Sequence, residues 1–116
     1  MITLTEQVLG HSITVTAARA GGDWTVSVLG GCAPHVGSVS LAEWEHGAVT
    51  LRTLTRESHK DQLVGDQFAR ILAEKLQCTV CVICGIHYDG PGPDELRRIV
   101  LCTQALLSQL LLKISN

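Results

Sequence analysis

The sequence predicts an α+β fold, a two-layer sandwich in which two helices cover one face of a mostly antiparallel sheet in the order β-β-β-β-α-β-α. Three observations carry this expectation. The first half of the chain alternates apolar and polar residues with period two, and the second half switches to helical spacing. One run near residue 80 is apolar on both faces, as a central strand is. The 116 residues form a single domain, 1–116, with no repeat, linker or low-complexity tract. A chain of this length buries roughly two-thirds of its surface, so it folds without a disulfide or metal staple.

The elements follow in order. Residues 12–17 alternate, Gly21-Gly22-Asp23 supplies a turn, and residues 24–29 alternate again. Residues 37–42 read as a third strand and residues 48–54 as a fourth, joined by the Glu45-His46-Gly47 turn. Ile2 and Leu4 point to a further short strand at the start. Ser and Thr fill the alternate positions, which predicts one packed face and one wetter face. Ser58 and Asp61, three residues apart, resemble a capping box. Val64, Phe68, Ile71, Leu72 and Leu76 then recur at helical spacing. Residues 79–86 are the central strand, expected to pair parallel with an earlier strand through a right-handed crossover. Gly90-Pro91-Gly92-Pro93-Asp94 breaks the chain and opens the last helix, because Pro and Asp favour the first helical positions. Leu96, Ile99, Val100, Leu107, Leu110, Leu111 and Ile114 form its stripe, with Leu101, Leu106 and Leu112 off it. That breadth predicts deep burial or a homo-oligomer contact.

Composition narrows the function. Apolar residues make up 46% of the chain and charged residues 17%, which suits a packed core rather than disorder. The aromatics are Trp24, Trp44, Phe68 and Tyr88, too few for a base-stacking nucleic-acid binder. A net charge of −2 without a Lys/Arg cluster argues against nucleic acid and against anionic membranes as partners. The start lacks the basic and apolar regions of a signal peptide. The most apolar stretch, residues 106–114, is too short to span a bilayer and includes Lys113. A cytoplasmic location follows, and with it five reduced cysteines. Cys78, Cys81 and Cys84 have the spacing of a cluster motif, but a strand sends Cys81 to the face opposite Cys78 and Cys84. They are therefore read as small core residues.

Three histidine-bearing segments are the candidates for chemistry. In the first, Gly30-Gly31-Cys32-Ala33-Pro34-His35-Val36-Gly37, paired glycines permit close backbone approach to a ligand, Pro34 stiffens the bend and His35 sits at a strand entrance. A plain turn with a solvated His35 is the alternative. In the second, Ser58-His59-Lys60-Asp61, the start of a helix offers free N–H groups to an anion. Capping alone explains Ser58 and Asp61 but not His59 and Lys60, which the positive helix end disfavours unless a phosphate is bound. In the third, Gly85-Ile86-His87-Tyr88-Asp89, the chain leaves the central strand, where α/β proteins often bind ligands. His87 and Asp89 lie two residues apart, so the carboxylate can orient the ring; a core histidine beside a helix-capping Asp89 is the alternative. His11 and His46 are read as surface residues. Cys32, although close to His35 in sequence, is not placed in contact with it by that spacing.

Together these segments resemble the prenylated-flavin chaperone family, the LpdD-like D-subunits associated with gallate-type decarboxylases of the UbiD class. The resemblance rests on Gly30, Gly31, Pro34, His35, Val36, Gly37 and Val39, then His59, Lys60 and Asp61, then Gly85, Ile86, His87 and Asp89. It runs from about Ser12 to Leu112 and departs at Tyr88 and the Gly/Pro stretch after it. It implies a non-catalytic carrier that binds reduced prenylated FMN and delivers it to a UbiD-type decarboxylase, with a flavin prenyltransferase as a further partner. The residues it implies for cofactor binding are Gly30, Gly31, Pro34, His35, Ser58, His59, Lys60, Asp61, His87 and Asp89. Two other readings stand beside it. One is a small metal-dependent enzyme with a divalent ion on His35, His59 and His87. The other is a structural decarboxylase subunit that docks through its last helix.

Overall fold

The period-two alternation of the first half becomes five consecutive strands, and the helical spacing of the second half becomes two helices with one strand between them. The structure, a computed structural model, describes residues 1–56 and 61–115. The strands are β1 (Ile2–Val8), β2 (His11–Ala20), β3 (Asp23–Gly31), β4 (Ser38–Glu45), β5 (Ala48–Thr55) and β6 (Val80–His87). The helices are α1 (Asp61–Leu76) and α2 (Pro93–Ser115). Ser58, His59 and Lys60 lie outside the described residues.

The six strands form one sheet in the order β1-β2-β3-β6-β4-β5. Last in sequence, β6 enters the middle of the sheet. It pairs parallel with β3, Val26 against Val82, and antiparallel with β4, Ser40 against the same Val82. The expected parallel pairing of this strand is therefore to β3. Its apolar run reflects the position, since a strand with neighbours on both edges and a helix layer above is shielded from water. Two hairpins, at Leu9-Gly10 and His46-Gly47, hold both central residues at positive φ, the geometry that matches the twist of the flanking strands.

Both helices pack on one face of this sheet around a single core. Ile13, Val15, Val28 and Val82 point into it from the strands, against Phe68 and Leu72 of α1 and Leu106 and Leu110 of α2. Among the described residues, the opposite face carries no helix. It holds the expected threonines and serines, with a Thr5–Thr14 hydroxyl contact and an Arg52–Glu43 ion pair. An apolar row set by the register, Ile83, Val39 and Leu54, also crosses it.

Three sequence expectations change. The short strand at Ile2 and Leu4 is a full seven-residue β1. Its alternation is interrupted by Glu6 at an inward position, whose carboxylate accepts a hydrogen bond from Gln109 of α2 at 3.0 Å. Cys78 precedes β6 rather than belonging to it, while Cys81 and Cys84 do point to opposite faces. Burial pushes the Cys84 thiol up to about 12, and the nearby Asp61 carboxylate acts in the same direction. Finally, α2 runs for 23 residues and is long and apolar enough to cross a membrane by length and composition. The core helix of a sheet layer passes the same test, and Ile99, Thr103, Leu106, Leu107 and Leu110 of α2 are buried on the sheet side. Its apolar breadth divides, with Leu101 and Leu112 left exposed.

Phe68 is fully buried between the helices and the sheet and is the largest side chain in the core. Phe68→Ala is expected to lower unfolding free energy by about 3–5 kcal/mol, through lost transfer energy and the cavity left behind. Urea denaturation followed by circular dichroism measures this loss.

Candidate functional site

The site forms where the two edges of β6 part company. The N–H of Cys32 donates to the His87 carbonyl at 2.8 Å on the β3 side, and the N–H of Gly37 donates to the Cys84 carbonyl at 2.9 Å on the β4 side. Residues 32–37 therefore cross β6 from one edge to the other. Close packing requires glycine at the crossing. A Cβ on Gly85 would overlap the backbone carbonyl of His35, and one on Gly37 would overlap the Asp61 carboxylate. Gly31, at φ 85°, lies equally close to the His87 backbone.

The crossing leaves Ile86 beyond the last ladder pair with β4, and its N–H needs another acceptor. Asp61, the first residue of α1, supplies it at 2.8 Å. The other carboxylate oxygen of Asp61 lies 3.2 Å from Nε2 of His35, while Nδ1 of His35 donates to the Ala33 carbonyl at 3.0 Å. That contact orients the ring so that Nε2 faces the Asp61 carboxylate. Asp61 is buried and tied on both oxygens, so it positions the helix start and the imidazole.

Next to this pair opens a cavity of about 520 Å³, inside the roughly 300–1,000 Å³ range of small-molecule sites. Its polar rim is His35, Asp61 and His87. Its wall is apolar: Leu63 and Val64 from the first turn of α1, and Leu96, Ile99 and Val100 from the start of α2. Leu63, Leu96 and Val100 are exposed to solvent, which is costly for a wall with nothing to cover. The rings of His35 and His87 stand edge to face at 6.4 Å.

On the far side of His87 lies a second group. Nε2 of His87 donates to Oδ1 of Asp89 at 2.9 Å, and Sγ of Cys32 is 3.6 Å from Oδ2 of the same carboxylate. The hydrogen bond from His87 holds the Asp89 carboxyl below its usual range, aided by the Cys32 hydrogen bond and the His87 charge. Tyr88 donates its hydroxyl to the Val8 carbonyl at 2.9 Å, which pins this turn to β1.

The structure thus brings together His35, Asp61 and His87 around one cavity and places Asp89 behind His87 with Cys32. Gly30, Gly31 and Pro34 do not line the cavity. Gly30 packs against Ile13 and Gly31 against His87, so their close backbone approach is to the neighbouring strands. His35 is directed at Asp61, and among the described residues the donor atoms that converge as metal ligands belong to Cys32, His87 and Asp89. Sequence reasoning missed Leu63, Val64, Leu96 and Val100 as cavity-lining residues. The available signal was a surplus of apolar side chains in the first turns of both helices, which core packing alone does not use.

Gly85→Ala is expected to lower stability by about 1–3 kcal/mol, the typical cost of forcing a backbone shift in a packed region. Chemical denaturation checks it, together with a shift of the His35 ring resonances. Asp89 should titrate below about 3.9, the ordinary value, and rise toward it in His87→Gln; carbon-detected NMR reads this directly. Because the folded value is depressed, the pair stabilises the fold above the unfolded value and loses that effect as pH falls through the folded one.

One solved structure with this architecture belongs to a chaperone complex for yeast 20S proteasome assembly. The two chains align with a TM-score of 0.62 at 10% identity over 94% of each chain, a likeness of fold alone. No curated protein matches the chain by sequence. The family described as the prenylated flavin chaperone LpdD-like domain matches residues 7–115, which takes in every strand but the start of β1, both helices and all three histidine segments. The chain belongs to the prenylated flavin chaperone LpdD-like family.

Proposed function

We propose that this protein is a cytoplasmic, non-catalytic carrier that binds reduced prenylated FMN in the cavity between the starts of α1 and α2 and delivers it to a UbiD-type decarboxylase. The observation that carries this reading is the cavity itself, with its wide apolar wall, polar rim and open side. A prenylated flavin has the matching character: a large flat ring system with an added hydrocarbon ring, a hydroxylated chain and a terminal phosphate. Leu63, Val64, Leu96, Ile99 and Val100 suit the ring system, and His35 and His87 suit its carbonyl, nitrogen and hydroxyl groups. Ser58, His59 and Lys60 directly precede α1, so the phosphate is assigned to them, with the helix N-terminus contributing its N–H groups. Asp61 acts here by holding His35 and the end of β6, since both its oxygens are already engaged.

A carrier must release what it binds, and an open site whose walls are partly exposed before binding suits transfer better than an enclosed one. A flavin prenyltransferase is the natural source of the cargo. A second copy of the chain is the occupant we assign to the exposed Leu101 and Leu112 of α2.

Anaerobic gel filtration with reduced prenylated FMN tests the reading. The wild-type protein is expected to retain the flavin stoichiometrically and to activate an apo-decarboxylase. Val100→Asp places a charge in the apolar wall at an exposed position and should weaken retention at least tenfold, or ~1.4 kcal/mol, without loss of fold. Folded wild-type protein that retains no flavin would overturn the proposal.

A further inference from the structure

The Cys32, His87 and Asp89 cluster has a composition that flavin carriage does not require. We propose that it is a binding site for a borderline-soft divalent metal ion of the zinc class, with one coordination position open to solvent. The three ligand atoms, Sγ, a ring nitrogen and a carboxylate oxygen, all lie within 4.8 Å of one another. This convergence is imposed by the sheet. Gly31 pairs with His87 at the end of the parallel ladder, and the next N–H, that of Cys32, still donates to the His87 carbonyl. The thiol of Cys32 therefore projects beside the turn that carries Asp89, although 57 residues separate the two.

The spacing fits tetrahedral coordination. With metal–ligand bonds of about 2.0–2.3 Å, neighbouring donors in such a site stand roughly 3.3–3.6 Å apart. Cys32 Sγ and Asp89 Oδ2 are already 3.6 Å apart. His87 and Asp89, at 2.9 Å, need only exchange their shared proton for the metal and open by a few tenths of an ångström. A thiolate and a carboxylate neutralise a dication, and His87 enters as the neutral ring. Thiolate and imidazole select zinc-class ions over Mg²⁺ and Ca²⁺, which prefer oxygen.

The surroundings supply what a coordination shell needs. A smaller cavity of about 200 Å³ adjoins the cluster, lined also by His11, Tyr88 and Glu95. His11 stands edge to face with Tyr88 at 5.8 Å and is close enough to Asp89 to help hold its carboxyl low. Water fills the fourth position, and His11 or Glu95 lies on the same cavity to hold that water. The site shares His87 with the flavin cavity, but Cys32 and Asp89 do not line that cavity and no flavin atom is needed to complete the coordination.

Cobalt(II) is the probe, used with the reduced, tag-free, full-length protein. One equivalent is expected to bind with a sulfur-to-cobalt charge-transfer band in the near ultraviolet and visible bands of tetrahedral intensity, and zinc should displace it. Cys32→Ser should abolish the charge-transfer band and weaken zinc binding about tenfold or more. Asp89→Asn should weaken zinc to a similar extent while keeping the band, and it serves as the second variant if Cys32→Ser folds poorly. Absence of stoichiometric cobalt binding overturns the proposal. So does a charge-transfer band that survives in Cys32→Ser, because another of the cysteines would then be the ligand. Neither result bears on flavin retention, which is measured without added metal.

Discussion

The carboxylate of Asp61 on the backbone N–H of Ile86 is the tie on which the rest of the site depends. It joins the first residue of α1 to the end of the central strand at the point where the sheet stops supplying a partner. A buried N–H left without an acceptor costs about 1–3 kcal/mol, so the contact stabilises the fold as well as ordering the site. The same carboxylate reaches His35, which is how a helix start, a strand end and a crossing loop come to share one small volume.

Everything near this tie is placed by backbone before side chains enter. The crossing of residues 32–37 needs glycine at 37 and 85 because backbone and carboxylate approach too closely for a Cβ. The result is a rigid polar edge set against an apolar wall contributed by the two helix starts. Rigid strands hold the edge, while the wall comes from side chains that are half in water.

The legibility of the sequence was uneven for physical reasons. Alternation and helical spacing report which face of an element is buried, so five of the six strands and both helices were readable. β1 was harder because Glu6 stands at an inward position and finds its partner only on α2. Close backbone approach at Gly30 and Gly31 was legible from the glycines, but that the neighbouring strands make it, through Ile13 and His87, was not. Asp61 was read as a capping residue, and its use by Ile86 could not be seen from a spacing of 25 residues. Cys32 was compared with His35, three residues away, whereas its partners are on β6 and the turn beyond.

By itself the sequence determined the layer architecture and the burial of Cys84, and it singled out the segments that carry His35 and His87. These follow from local periodicity and turn chemistry, which every stretch of chain carries within itself. Only the tertiary structure decided that β6 lies between β3 and β4, because the choice of strand neighbours depends on contacts between residues far apart in sequence. From that one placement follow the crossing loop, the meeting of His35 with Asp61, the separate grouping of Cys32, His87 and Asp89, and the cavity between the helix starts.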